Sequence, residues 1–300
     1  MKYLKSIKTS TFLVVFTFVI IGCNPGVVTL EEVVKTELDK DAKIVGKYQC
    51  SVGAHRGDSQ KYTENTIEAI RSATNDNQFT FLEFDVQFTK DKKVVAYHDK
   101  TLFRLYGNLN KITSLTLLEL KEITENNIAL YNEIINIVCN KKVNIEIKSS
   151  GNKETDNNLV DFIINDIDLR KIRNNVMISS ISTDVIKYVN NKYPNIKTGQ
   201  IFWIGASTYI PFDFLTENLY DKVLETGADY IMLHVSNLHN IEDLMKLKPK
   251  NKTVVFWNLD NKMYLVHRDP SDVIWGNSIF IQSFKYYWHY AKYLILHEIF

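Results

Sequence analysis

Four stretches of this 300-residue chain carry groups able to do acid–base or metal chemistry on apolar, strand-like runs. The first ends in His55-Arg56-Gly57, the second carries Glu83 and Asp85, and the third ends in His98-Asp99. The fourth, Val143 to Lys148, carries Glu146 and Lys148. Side chains alternate along a strand, so residues two apart share a face. Glu83 and Asp85 therefore point the same way, as do Glu146 and Lys148. Two carboxylates on one face repel each other unless a cation lies between them. Three carboxylates from two strands make an oxygen-only donor set, which favours Ca²⁺ or Mg²⁺ over zinc or copper. With two imidazoles and an arginine beside it, such a seat suits a phosphate ester.

The elements that must bring these groups together follow from periodicity. Strand-like runs are Gln49–Ala54, Phe79–Phe88, Val94–Tyr97, Val143–Ile147, Val176–Ser180, Thr198–Trp203, Tyr230–Leu233 and Thr253–Trp257. Helix-like segments lie between most of them: Asn65–Thr74 with Thr63 or Glu64 near its cap, Asn127–Asn140, Asn157–Leu169, Thr183–Asn191, Glu217–Thr226 and Ile241–Leu247. Eight strands alternating with helices predict an α/β fold, a parallel (β/α)8 TIM barrel. The alternation breaks once, at Lys90-Asp91-Lys92, where the link is too short for a helix. A small insertion after the third strand, residues 100–126 with a short helix at Thr116–Ile123, is expected to cap the barrel mouth. Barrel enzymes keep their chemistry at the C-terminal ends of the strands. The aromatic tail Phe284–Phe300 reads as a last helix packed on the barrel.

Composition narrows the classes. Hydrophobic residues at 45% and charged residues at 24% describe a globular chain with a core large enough to need no disulfide framework. A net charge of +1 gives no electrostatic case for nucleic acid. Lys2, Lys5 and Lys8 precede an apolar run, Thr11 to Ile21, too short to span a bilayer comfortably. The run ends in Ile20-Ile21-Gly22-Cys23, which resembles the lipobox of bacterial lipoproteins. Residues 1–23 are thus expected to be a signal peptide with Cys23 lipidated, 24–47 a tether, and 48–300 the barrel. The expectation is an exported protein of the bacterial cell envelope, lipid-anchored to a membrane. Cys50 and Cys139 are then left as free thiols, and no zinc-type Cys/His spacing is present. Nothing in the chain sets an oligomeric state.

The motifs together resemble the glycerophosphodiester phosphodiesterase family. The matching pieces are His55-Arg56-Gly57, Glu64-Asn65-Thr66, Glu83-Phe84-Asp85, His98-Asp99 followed by Thr101-Leu102 and Arg104, Leu115 to Leu120, and Glu146-Ile147-Lys148. The resemblance runs from about Tyr48 to Asp260. It implies that Glu83, Asp85 and Glu146 hold one divalent cation, Ca²⁺ or Mg²⁺. It implies His55 and His98 as general acid and base, without saying which is which. Arg56 and Lys148 would bind the phosphate, Glu64 would orient Arg56 or a histidine, and Trp257 would wall the glycerol moiety. The implied reaction is metal-dependent hydrolysis of a small-molecule glycerophosphodiester to glycerol 3-phosphate and an alcohol. The alternatives are a phospholipase D-like lipid hydrolase of the same superfamily, or a non-catalytic surface lipoprotein with a degenerate barrel. The family's closing motif is altered here to Trp257-Asn258-Leu259-Asp260 and Ile274-Trp275-Gly276-Asn277-Ser278.

Overall fold

The first strand, β1 (Cys50–Ala54), and the second, β2 (Phe81–Phe88), run parallel, with Gly53 opposite Phe81 and Ala54 opposite Leu82. This computed structural model describes residues 50–138, 141–202, 213–234, 237, 247–259 and 261–266, all within one unit of the chain, Leu38–Gly276. From β2 the sheet continues through β7 (Lys142–Ile147), β8 (Val176–Ser180), β9 (Lys197–Phe202), β10 (Tyr230–His234) and β11 (Thr253–Leu259), each parallel to the last. A final strand, β12 (Lys262–Val266), runs antiparallel between β11 and β1 and closes the ring. The architecture is the (β/α)8 barrel, with α1 (Ile67–Asn75), α4 (Tyr131–Ile137), α5 (Lys153–Leu169), α6 (Thr183–Lys192) and α7 (Asp213–Thr226) in the crossovers.

One expected stave is not in the ring. Val94–Ala96 forms β3, a hairpin strand antiparallel to the end of β2, with Val86 opposite Ala96 and Phe88 opposite Val94. The Lys90-Asp91-Lys92 link allows only a reversal, because a parallel crossover needs a dozen residues or more. The eighth stave is instead β12, which the periodicity did not reveal. The hairpin leads into β4 (Thr101–Leu102), α2 (Phe103–Tyr106), β5 (Asn108–Lys111), α3 (Leu117–Ile123) and β6 (Ala129–Leu130), and β6 pairs with β3. The insertion therefore hangs from β2 as its own small layer, packed around Leu102, Ile112, Leu120 and Ile128.

Local caps explain the helix boundaries. Thr66, rather than Thr63 or Glu64, caps α1, accepting from the Ala69 N–H. Thr116 and Glu119 form a capping box on α3. Alternation sorts the barrel strands. Phe84, Val86, Ile145 and Ile147 face outward into the layer shared with the helices. Phe81, Ile201, Met232, Val255, Trp257 and Met263 fill the interior. Glycine at 53 makes room for that filling, since a Cβ there would lie 2.2 Å from the Phe81 ring. Cys23, Cys139, Asp260, residues 241–246 of the expected helix at Ile241–Leu247 and the aromatic tail lie outside the described residues.

Candidate active site

The outward residues of β2 and β7 force their neighbours inward, and those neighbours are polar. Asp85 stands opposite Glu146, and Glu83 opposite Asn144. All four are buried. Glu83, Asp85 and Glu146 each offer an oxygen, and the three atoms lie within 4.8 Å of one another. At about 2.3–2.6 Å per bond, two oxygens on one Ca²⁺ sit no more than about 5 Å apart, so the spacing suits a single ion. The hydrogen bonding agrees. Glu83 Oε1 and both amide atoms of Asn144 are buried without a hydrogen-bond partner, in a cavity wall where such groups normally have one. Burial and the Asp85 and Glu146 charges hold the Glu83 carboxyl well above the usual carboxylate range. Burial also raises Glu146. Burial would raise Asp85 too, but Lys148, His98, Arg56 and the Asn65 amide bring it well below that range. The set as it stands is short of positive charge at Glu83, which a divalent cation would supply.

His55 and Arg56 leave the C-terminal end of β1 beside this set. The Arg56 N–H donates to Glu83 Oε2 at 2.8 Å, and His55 Nε2 lies 3.9 Å from the same oxygen. Arg56 adopts φ +60 and Gly57 φ +77, so the chain turns sharply and both side chains reach the mouth. Arg56 Nη1 donates to Glu64 Oε1 at 2.9 Å, and its Nε lies 3.5 Å from Asp85 Oδ2. Burial, with the adjacent Arg56 charge, holds the His55 imidazole well below its ordinary value, so it is neutral at pH 7. Lys148 Nζ donates to Glu146 Oε1 at 2.6 Å and lies 3.1 Å from Asp85 Oδ1.

His98 arrives by a different route from the expected one. It follows β3 in the loop at the base of the insertion, not a barrel strand. Gln87 fixes that loop by donating to the Tyr97 and Asp99 carbonyls at 2.8 and 2.9 Å. His98 Nδ1 pairs with Asp99 Oδ1 at 2.6 Å, leaving Nε2 for a ligand. Arg104 of α2 then ties the two sides together. Its Nε donates to Asp99 Oδ2 at 2.7 Å, and its Nη1 and Nη2 donate to Glu64 at 3.0 and 2.5 Å. Glu64 thus does face Arg56, as expected, but also receives a second arginine. Burial opposes the charge on Asp99, yet its His98 and Arg104 bonds pull it down to about 2.

Every site residue expected on the described strands lines or supports one cavity of about 680 Å³. Trp257 lies in its wall, with its ring 6.2 Å from that of His55. His234 makes a T-shaped ring contact with Trp257, the centroids 5.0 Å apart. Reading by residue type assigned no role to Asn65, Gln87, Arg104 or Asn144. Asn65 is the most consequential: its Nδ2 donates to Asp85 Oδ2 at 2.8 Å, and its Oδ1 accepts from the Asp85 N–H at 3.1 Å. Its signal was its place in the Glu64-Asn65-Thr66 motif, and the structure gives it φ +60, a left-handed conformation that asparagine tolerates.

The profile of the glycerophosphoryl diester phosphodiesterase family matches residues 55–282. The chain belongs to that family. It is 30% identical over 228 residues to a glycerophosphodiester phosphodiesterase of Caldanaerobacter subterraneus, covering 70% of this chain and 85% of that protein. The crystal structure of a glycerophosphodiester phosphodiesterase from Thermotoga maritima superposes with a TM-score of 0.53 at 29% identity, over 69% of this chain and 84% of that one. An Oleispira antarctica phosphodiesterase solved with its product sn-glycerol-3-phosphate shares the fold. Its TM-score is 0.55 at 18% identity, over 79% and 88% of the two chains.

Proposed function

We propose that this site hydrolyses glycerophosphodiesters to glycerol 3-phosphate and an alcohol, using one Ca²⁺ or Mg²⁺ held by Glu83, Asp85 and Glu146. The observation that carries the reading is the buried carboxylate triad at the strand ends, flanked by His55 and His98. When bound, the cation supplies Lewis-acid polarisation of a phosphoryl oxygen. Arg56 and Lys148 add positive charge on the other phosphoryl oxygens as charge builds there. His55, kept neutral by burial, takes the proton from the attacking water. The new P–O bond forms as the bond to the alcohol oxygen breaks. His98, held through Nδ1 by Asp99, gives that oxygen a proton from Nε2. Trp257 walls the glycerol side next to His55.

The test is glycerol 3-phosphate release from a head-group panel, with and without chelator. Removing the cation should abolish release, and adding it back should restore it. His55→Ala and Glu83→Ala should each lower kcat by at least about a hundredfold. Folded wild-type protein that releases nothing with either ion would overturn the reading. The same proposal includes export and anchoring in the bacterial cell envelope through lipidated Cys23, with residues 24–47 as tether and 48–300 as the catalytic barrel. Cys23→Ala should move the protein from the detergent phase to the aqueous phase in a cloud-point partition; an unchanged partition would exclude that anchor.

A further inference from the structure

The insertion gives the cavity a basic wall that the reaction above does not use. β4 and β5 pair with Thr101 opposite Lys111, and the Ile112 N–H donates to the Lys100 carbonyl at 3.0 Å. That ladder brings Lys100 and Lys111 to neighbouring backbone positions, and both line the cavity. Of the acids nearby, Asp99 is paired with His98 and Arg104 and Glu146 with Lys148, while Asp156 is buried and accepts from the Ser149 and Ser150 hydroxyls. Neither lysine meets a carboxylate among the described residues. Two lysines against the one buried Asp156 leave the wall with net positive charge, and the Asp156 oxygens are already taken by hydrogen bonds. A cavity of about 680 Å³ also has room for more than glycerol 3-phosphate. Lys100 follows His98 by two residues, whereas Trp257 sits beside His55.

We infer that Lys100 and Lys111 form the subsite for the leaving alcohol, and that it favours an alcohol bearing its own phosphate or carboxylate over one bearing an ammonium. The inference rests on the hydrolytic reading above, in which His98 faces the leaving oxygen. Opposite charges a few ångströms apart near a surface interact by an amount that salt weakens. Rim charges act chiefly on encounter and orientation.

The experiment compares kcat/KM for three soluble diesters: glycerophosphocholine, glycerophosphoglycerol, and glycerophosphoglycerol with a terminal phosphate. At low salt the phosphorylated diester should lead the choline diester by about tenfold or more, with the gap closing at high salt. Lys100→Glu combined with Lys111→Glu should reverse the order, with the change mainly in KM. The wild-type salt dependence stands as a second readout if that variant folds poorly. Hydrolysis of all three at equal efficiency, indifferent to salt, would overturn the subsite and leave the hydrolytic reading intact. Hydrolysis of none would overturn both. Vesicles of phosphatidylglycerol, co-sedimented with wild type and double variant, separate the two sources of phosphate. Lysine-dependent vesicle binding without a ranking among soluble diesters would make the wall a lipid-surface contact and overturn the subsite.

Discussion

Asn65 grips Asp85 at two points, its Nδ2 donating to the carboxylate and its Oδ1 accepting from the backbone N–H, so its replacement tests the site's construction. The backbone there has φ +60, which glycine adopts without strain, and the Asn65 N–H bond to the Arg56 carbonyl does not depend on the side chain. Asn65→Gly therefore removes the amide while keeping the entry to α1. It deletes a hydrogen bond to a charged oxygen, a loss of about 1.5–3 kcal/mol, and leaves the buried Asp85 N–H unpaired, a further loss of about 1–3 kcal/mol. Water entering the vacated space recovers part of this, so a net destabilisation of about 2–4 kcal/mol is expected. Urea unfolding of the cation-free protein measures it. The freed Asp85 should also bind cation about 10–100-fold more weakly, as when a ligand loses its supporting hydrogen bond, and calorimetric titration with Ca²⁺ or Mg²⁺ reads that directly. Asn65→Asp keeps shape and backbone preference but sets a second carboxylate against Asp85, so it should destabilise more than glycine at pH 7. A glycine variant within about 0.5 kcal/mol of wild type and with unchanged cation affinity would show that Asn65 does not support Asp85, as would an aspartate variant that behaves like wild type.

Three further outcomes follow from the geometry. Gly57→Ala places a Cβ 2.7 Å from the Ala69 carbonyl carbon at φ +77, so it should lower stability by about 2–4 kcal/mol; a melting temperature equal to wild type would contradict this. Burial pushes His234 down to about 4, so the unfolded chain, with its histidine near 6.5, binds more protons than the native one between those values. Stability should therefore fall by up to about 3 kcal/mol as pH drops from 6.5 to 4, and His234→Gln should flatten that slope; equal slopes in urea titrations at several pH values would refute it. Arg104→Lys keeps the charge but cannot span Asp99 and Glu64 together, so kcat should fall while KM for glycerophosphoglycerol moves little, and the pH profile should shift. A loss of melting temperature with unaltered kcat and pH profile would reduce Arg104 to a structural tie.

Much of the site was legible as spacing. Period-two patterning put Glu83 with Asp85 and Glu146 with Lys148, because a pleated strand leaves no other choice. It did not say which strands are neighbours. With Val94–Tyr97 as a stave, Asp85 and Glu146 would stand two strands apart, about 10 Å, too far to share one ion. The hairpin takes that segment out of the ring, so β2 and β7 pair directly and Asp85 faces Glu146. The closing strand β12 was hidden for a related reason. It is antiparallel and follows β11 after only two residues, too few for a helix to announce it. Arg104 and Asn65 were quotable as motif letters, but their partners are 40 and 20 positions away for Glu64 and Asp85. Which groups carry the chemistry could be read along the chain, since side-chain type and strand parity are local properties. That they meet is a property of the folded ring, because strand order depends on whether a connection is long enough to cross over or only to reverse.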